Sequence, residues 1–231
     1  MGEKEKAEFA LKVLTDGLKK RGAALDFGIA DGRLSSAVSE AEVKREIEKI
    51  AKESPFFKEE KLFIFDPNKK NNREWYDFSI EGENGFFVPV NIKITAGGFP
   101  DNLSCKLGIF YALTGKRPEE AGIKNGIGWA AFLKKMREEL EKGNPDDSKD
   151  YFFLVIDKAD TKNVFFSSLK TIENLTPNSS NLPFQCKWKN NRERKMRTGK
   201  EGKDFVLGAL KKSLKLRKMD ILAACAELEN F

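Results

Sequence analysis

Asp77, Asn91 and Lys93 lie within a single stretch, YDFSIEGENGFFVPVNIKIT at residues 76–95. An acid, an amide and an amine interrupt two apolar runs that flank Asn84-Gly85. Side chains alternate along a strand with period two. Val88, Val90, Ile92 and Ile94 therefore share one face, and Asn91, Lys93 and Thr95 share the other. The connecting loop decides whether Asp77 joins them. A two-residue Asn84-Gly85 turn sets Asp77 opposite Ile92, on the wrong face. A three-residue loop, Glu83-Asn84-Gly85, puts glycine where a type I turn followed by a left-handed residue needs it. Asp77 then stands opposite Asn91. A slip of one residue moves the whole set between faces.

In the second register the three side chains form a cluster with a definite chemistry. A hard divalent cation such as Mg2+ takes oxygen ligands and keeps several waters. The Asp77 carboxylate and the Asn91 carbonyl oxygen are its candidate ligands. Lys93 has no metal role, but its ammonium can lie beside an attacking water and a scissile phosphate. Metal activation of water and a cation against phosphate charge are the needs of phosphodiester hydrolysis.

Composition narrows the alternatives. The chain has 231 residues and no histidine, which excludes a Ser-His-Asp triad, a histidine base and every histidine-ligated metal. Cys105, Cys186 and Cys225 are far apart and form no CxxC pair, so they read as reduced thiols of a cytosolic protein. MGEKEKAEF has no signal-peptide character and no apolar run has transmembrane length, so a soluble chain without a membrane partner is expected. Lys and Arg number 42 against 36 acids, a net charge of +6 that suits a nucleic-acid partner.

The elements that must position the cluster follow from periodicity. Helices are expected over 4–20 and 35–53, the second capped by Ser35 or Ser36. KLFIFD (61–66), YDFSIE (76–81), FFVPVNIKI (86–94), YFFLVIDK (151–158) and NVFFSSL (163–169) read as strands. The strongly apolar 151–158 run suits the middle of a sheet. Residues 128–142 and 204–229 read as helices, and FQCKW (184–188) as a short strand. GIFYALTG resembles the opening of a GIY-YIG nuclease motif, but the second element is missing and the run reads as a core helix. One α/β domain over residues 1–231, a mixed central sheet flanked by helices, is the simplest architecture.

A second constellation lies downstream, in a segment at about 176–203. Lys187, Lys189, Arg192, Arg194, Lys195 and Arg197 are interspersed with Gln185, Asn190 and Asn191. Lysine and arginine neutralise phosphates, whereas Asn, Gln and Arg read base edges in the major groove. Gln185, Asn190, Arg192 and Arg194 are the candidate base readers. Asn102 and Lys106, at the start of an expected helix from Leu103, are further candidates to meet a phosphate.

An Asp followed, roughly ten to twenty residues later, by (Asp/Glu/Asn)-X-Lys on the next strand resembles the core of the PD-(D/E)XK nucleases. VPVNIK is similar to the Asn-bearing variant of some type II restriction endonucleases. EAEVKREIEKI is similar to the upstream helix on which many of them carry an additional active-site Glu. Glu42 is the best match, with Glu46 one turn on as the alternative. The resemblance implies a restriction-endonuclease-like fold and Mg2+-dependent, sequence-specific cleavage of double-stranded DNA. Asp77, Asn91, Lys93 and Glu42 would be the catalytic residues. It further implies a homodimer, a cognate DNA methyltransferase acting on the same site, and a prokaryotic cytoplasmic location. Tyr76 stands where the motif has Pro, and Asn91 removes a charge, which favours one held ion over two. The other readings are a non-catalytic nucleic-acid-binding protein on a degraded nuclease fold, a DNA-repair nuclease, and an RNA-interacting accessory protein.

Overall fold

The computed structural model describes residues 1–21, 32–70, 74–95, 98–143 and 146–217. The chain divides into two compact units, one of residues 1–99 and 152–167, the other of residues 100–151 and 168–231.

The first unit opens with α1 (Glu3–Arg21) and α2 (Gly32–Glu53), then the short α3 (Pro55–Glu59). Leu11, Leu14 and Leu18 of α1 and Val43, Ile47 and Ile50 of α2 are buried in one core. The helices approach closely because residue 17 is glycine: a Cβ there would lie 2.6 Å from Ile50 Cγ2. α2 starts at Gly32, upstream of Ser35 and Ser36.

A five-stranded sheet follows, built from β1 (Phe63–Phe65), β2 (Phe78–Glu81), β3 (Phe87–Thr95), β5 (Phe152–Asp157) and β6 (Val164–Ser168), in that spatial order. β1, β2 and β3 form an antiparallel meander, whereas β3 and β5 run parallel. The sheet is therefore mixed. Phe78, Ile80, Val88, Val90, Ile92, Leu154 and Ile156 face the α1–α2 core. β5 is buried along nearly its whole length, as expected for an interior strand.

The second unit holds β4 (Asp101–Leu103), β7 (Thr176–Pro177) and β8 (Phe184–Cys186), a three-stranded antiparallel sheet with β8 in the middle. Its helices are α4 (Lys106–Thr114), α5 (Trp129–Glu141) and α6 (Gly199–Leu216). α4 is apolar all round and buried from Leu107 to Thr114, as such a helix must be. α6 begins in a capping box, with the Thr198 hydroxyl accepting from the Glu201 amide and Glu201 Oε2 accepting from the Thr198 amide at 2.9 Å. The expected continuation of this helix to residue 229, and Cys225, lie outside the described residues. Cys105 and Cys186 are both free thiols. Among the described residues no helix is long and apolar enough to cross a membrane.

Candidate active site

The hairpin loop decides the site, and it has three residues. Gly82 donates its amide to the Phe86 carbonyl at 3.1 Å, which encloses Glu83, Asn84 and Gly85. Asn84 (φ 57°) and Gly85 (φ 76°) are both left-handed, so the loop spends two such residues where one is expected. The register runs Ile80 against Val88, Ser79 against Pro89 and Phe78 against Val90. The paired register ends there, and the Asp77 amide donates to the Val90 carbonyl, so Asp77 and Phe78 both lie against Val90 rather than Asp77 against Asn91.

The ladder does not continue regularly past Phe78. Trp75 and Tyr76 turn aside to pack edge-on against Phe87, at ring centroid distances of 6.1 and 5.4 Å. In an uninterrupted ladder the Ile92 amide would donate to the backbone of residue 76. Instead it donates to Asp77 Oδ2 at 2.6 Å, and the Asp77 amide donates to the Val90 carbonyl at 2.9 Å. The aspartate thus closes the end of the strand pair with its own carboxylate.

This carboxyl titrates far from its ordinary range. It is pushed up to about 6, first by burial and next by the negative charge of Glu40 on α2. The Ile92 amide, Lys44 and Lys93 act in the opposite sense. Lys44 is buried and bridges Glu40 at 2.9 Å and Asp66 at 3.3 Å. Asp77 therefore feels α2 on one side and β3 on the other, where Asn91 and Lys93 alternate with Val90 and Ile92. Asn91 and Lys93 are partly exposed and pair across the parallel ladder with Phe153 and Val155. Glu40 and Lys44 also line a polar groove of about 410 Å³, shared with Arg45, Asn68 and Lys69. Among the described residues no three acidic or sulfur side chains converge as a ready-made metal group. Val90 and Ile92 face the α1–α2 core, so Glu40 acts on Asp77 from that side, whereas Asn91 and Lys93 alternate to the other face. Asp77 and Glu40 are the neighbouring acids, and a positive charge between them would relieve the crowding that raises Asp77.

Of the acids on α2, Glu40 is the one whose charge raises Asp77, while Glu46 bonds Arg21 at 2.9 Å and Lys49 at 2.7 Å. The signal was present in the helical phase: stepping back from Ile47 and Val43 along the apolar stripe lands on Glu40, not on Glu42. Glu40→Gln is expected to lower the Asp77 pKa and cut cleavage about tenfold to a hundredfold, with Glu42→Gln near parental. Cleavage rates and an NMR titration of the Asp77 carboxyl measure this. A larger loss in Glu42→Gln gives that role to Glu42.

In the second unit the DNA-contact candidates separate into two groups. Lys187, Lys189, Asn190, Arg192 and Lys195 are exposed, and Gln185 and Arg194 are half-buried. Asn191 is corrected: it is 1% exposed and committed to the fold. Its Oδ1 accepts from the Asn174 amide at 2.8 Å, and its Nδ2 donates to the Lys187 carbonyl at 2.8 Å and to Cys186 Sγ at 3.3 Å. Arg197 is corrected too. Its Nη1 donates to the carbonyls of Lys170 and Ile172, both at 2.9 Å, and its guanidinium lies 3.8 Å from the Phe205 ring centroid. Arg197→Met is expected to cost about 2 kcal/mol through carbonyls left without a charged donor, read as a lower urea midpoint. An unchanged midpoint with lost DNA affinity would return Arg197 to the contact set.

The start of the expected 103 helix is corrected as well. Asp101–Leu103 is a strand, and α4 begins at Lys106. Lys106 Nζ donates to the Ile127 carbonyl and lies 5.0 Å from the Trp129 ring centroid. Burial and the nearby Arg217 charge hold its amine below the usual lysine range, so it is a packed amine rather than a surface cation awaiting a phosphate. Asn102 is exposed on β4. Compared with known proteins, the chain matches no family model, no curated protein and no solved structure.

Proposed function

We propose that the chain is a Mg2+-dependent endonuclease of the PD-(D/E)XK type, cutting double-stranded DNA at a specific short sequence as type II restriction enzymes do. What supports this reading is the three-residue hairpin loop together with Asp77 at the end of β2, which accepts from the Ile92 amide between Asn91 and Lys93 and is pushed up to about 6 beside Glu40. The helix–meander–parallel-strand order around that hairpin supports a restriction-endonuclease-like fold. A palindromic site would be met by a two-fold homodimer, and a methyltransferase acting on the same sequence would protect the host DNA.

Asp77 and the Asn91 carbonyl oxygen would hold the metal, with Glu40 accepting a hydrogen bond from metal-bound water. Bound Mg2+ would supply a lowered pKa for the attacking water and positive charge against the phosphate. Lys93 places its ammonium against a non-bridging phosphate oxygen and orients the water for in-line attack. The Ile92 amide pins one oxygen of Asp77, so the carboxylate reaches the site in a fixed orientation. Desolvation around Asp77 strengthens each of these interactions.

The test is incubation with phage DNA, with Mg2+ or with EDTA, read on a gel. Discrete bands in Mg2+ alone are expected. A smear would favour a repair nuclease, and intact DNA in both would leave a non-catalytic nucleic-acid-binding protein, for which Asn91 would mark a lost carboxylate.

A further inference from the structure

The small sheet of the second unit sorts its side chains cleanly. Leu103, Phe184 and Cys186 are buried on one face, and α6 packs against β7 and β8. The opposite face carries one residue from each strand in a row: Asn102 on β4, Gln185 on β8 and Thr176 on β7, paired Asn102 with Gln185 and Thr176 with Gln185. Asn102 and Thr176 are exposed.

These amides are oriented by a chain of hydrogen bonds that starts at the backbone. The Leu182 carbonyl can only accept, and Asn178 Nδ2 donates to it at 3.0 Å. The same Nδ2 lies 3.1 Å from Asn102 Oδ1 and 2.6 Å from the Ser180 hydroxyl. Gln185 Nε2 donates to the same Oδ1 at 3.0 Å. The Asn178 side-chain oxygen accepts from the Ser180 amide at 3.4 Å, which sets its Nδ2 on the other side. With one N–H given to Asn102, the half-buried Gln185 amide keeps an acceptor, Oε1, and a second donor.

We propose that Gln185 reads an adenine of duplex DNA in the major groove, with Asn102 as its positioning residue. An amide presenting donor beside acceptor complements adenine, which offers N7 as acceptor and N6–H as donor. Guanine offers two acceptors there, cytosine a donor and thymine an acceptor beside its methyl group, so none accepts both bonds. A short antiparallel sheet is an element the major groove admits. This inference rests on the nuclease reading for its DNA partner, and it names which base that partner must contain.

The experiment is a binding selection from a randomised duplex pool, using the chain with Asp77→Asn so that bound DNA survives. With Gln185 present, the retained pool is expected to fix adenine at a defined position. Gln185→Glu, which can only accept and no longer donates to Asn102 Oδ1, is expected to lose the adenine preference. Gln185→Ala is expected to flatten the preference by about tenfold to a hundredfold. Asn102→Leu is expected to flatten it likewise, while Asn102→Asp, which keeps an oxygen for both amide donors, retains it. An adenine preference unchanged in Gln185→Ala and Gln185→Glu overturns this inference and leaves the nuclease reading standing. A parent chain that retains no duplex at all overturns both.

Discussion

Asp77→Asn is expected to abolish DNA cleavage and, at pH 8, to raise the melting temperature. The two effects have one cause. In the folded chain the Asp77 carboxyl is pushed up to about 6, against an ordinary value of 3.8. The folded state thus binds this proton more tightly than the unfolded state. Stability linked to the group is greatest below the ordinary value and falls as pH rises from about 4 to about 6. Above that window the ionised carboxylate is a standing cost on the order of 2 kcal/mol. Asparagine removes the charge and keeps an oxygen to accept from the Ile92 amide. A gain on the order of 5 °C at pH 8 is expected, shrinking to nothing near pH 4. Millimolar Mg2+ is expected to raise the melting temperature of the parent at pH 8 and to leave Asp77→Asn unmoved. Differential scanning fluorimetry across pH, with and without the ion, gives both readings. A variant less stable than its parent at pH 8 would make Asp77 a purely structural end to the ladder. Continued plasmid cutting would remove it from the chemistry.

Lys93→Met should lower single-turnover cleavage by about a hundredfold to ten-thousandfold while leaving most DNA affinity in place. Methionine keeps the aliphatic stem against the sheet and deletes only the ammonium, so β3 retains its packing. One cation against a phosphate whose charge develops in the transition state accounts for the size of the loss. There is a second, independent signature. Lys93 is among the charges that hold Asp77 down, so its removal should raise the Asp77 pKa further. The fall in stability with rising pH should then move to higher pH than in the parent. Filter binding across a salt series is expected to keep nearly the parental slope, since at most one phosphate contact is lost. A Lys93→Met chain that cuts at the parental rate would reduce Lys93 to a solvated strand residue.

Local rules were enough for much of this protein. Alternation of apolar residues along 86–94 marks β3 and assigns Asn91 and Lys93 to one face, because a strand has a side-chain period of two wherever it is packed. Loop chemistry leaves two registers open, and a glycine able to take φ 76° at position 85 favours the three-residue one that the hairpin adopts. The strongly apolar 151–158 run becomes the interior β5, since only a strand covered on both faces can afford no polar side.

The rest required the tertiary structure, because charge and amide groups take their roles from what surrounds them. Glu40, Glu42 and Glu46 are equivalent as letters; only the packing of α2 against the sheet brings Glu40 to Asp77 and turns Glu46 toward Arg21. Asn191 and Arg197 belong by composition to a basic, polar segment, yet one is buried among backbone groups and the other ties carbonyls at 170 and 172. The elevated proton affinity of Asp77 likewise has no local origin. Residue types and spacing determined which groups are available for the proposed phosphodiester chemistry and the proposed reading of DNA. Burial and hydrogen-bond partners, which depend on segments far apart in the chain, decided which of them are held ready and which are consumed by the fold.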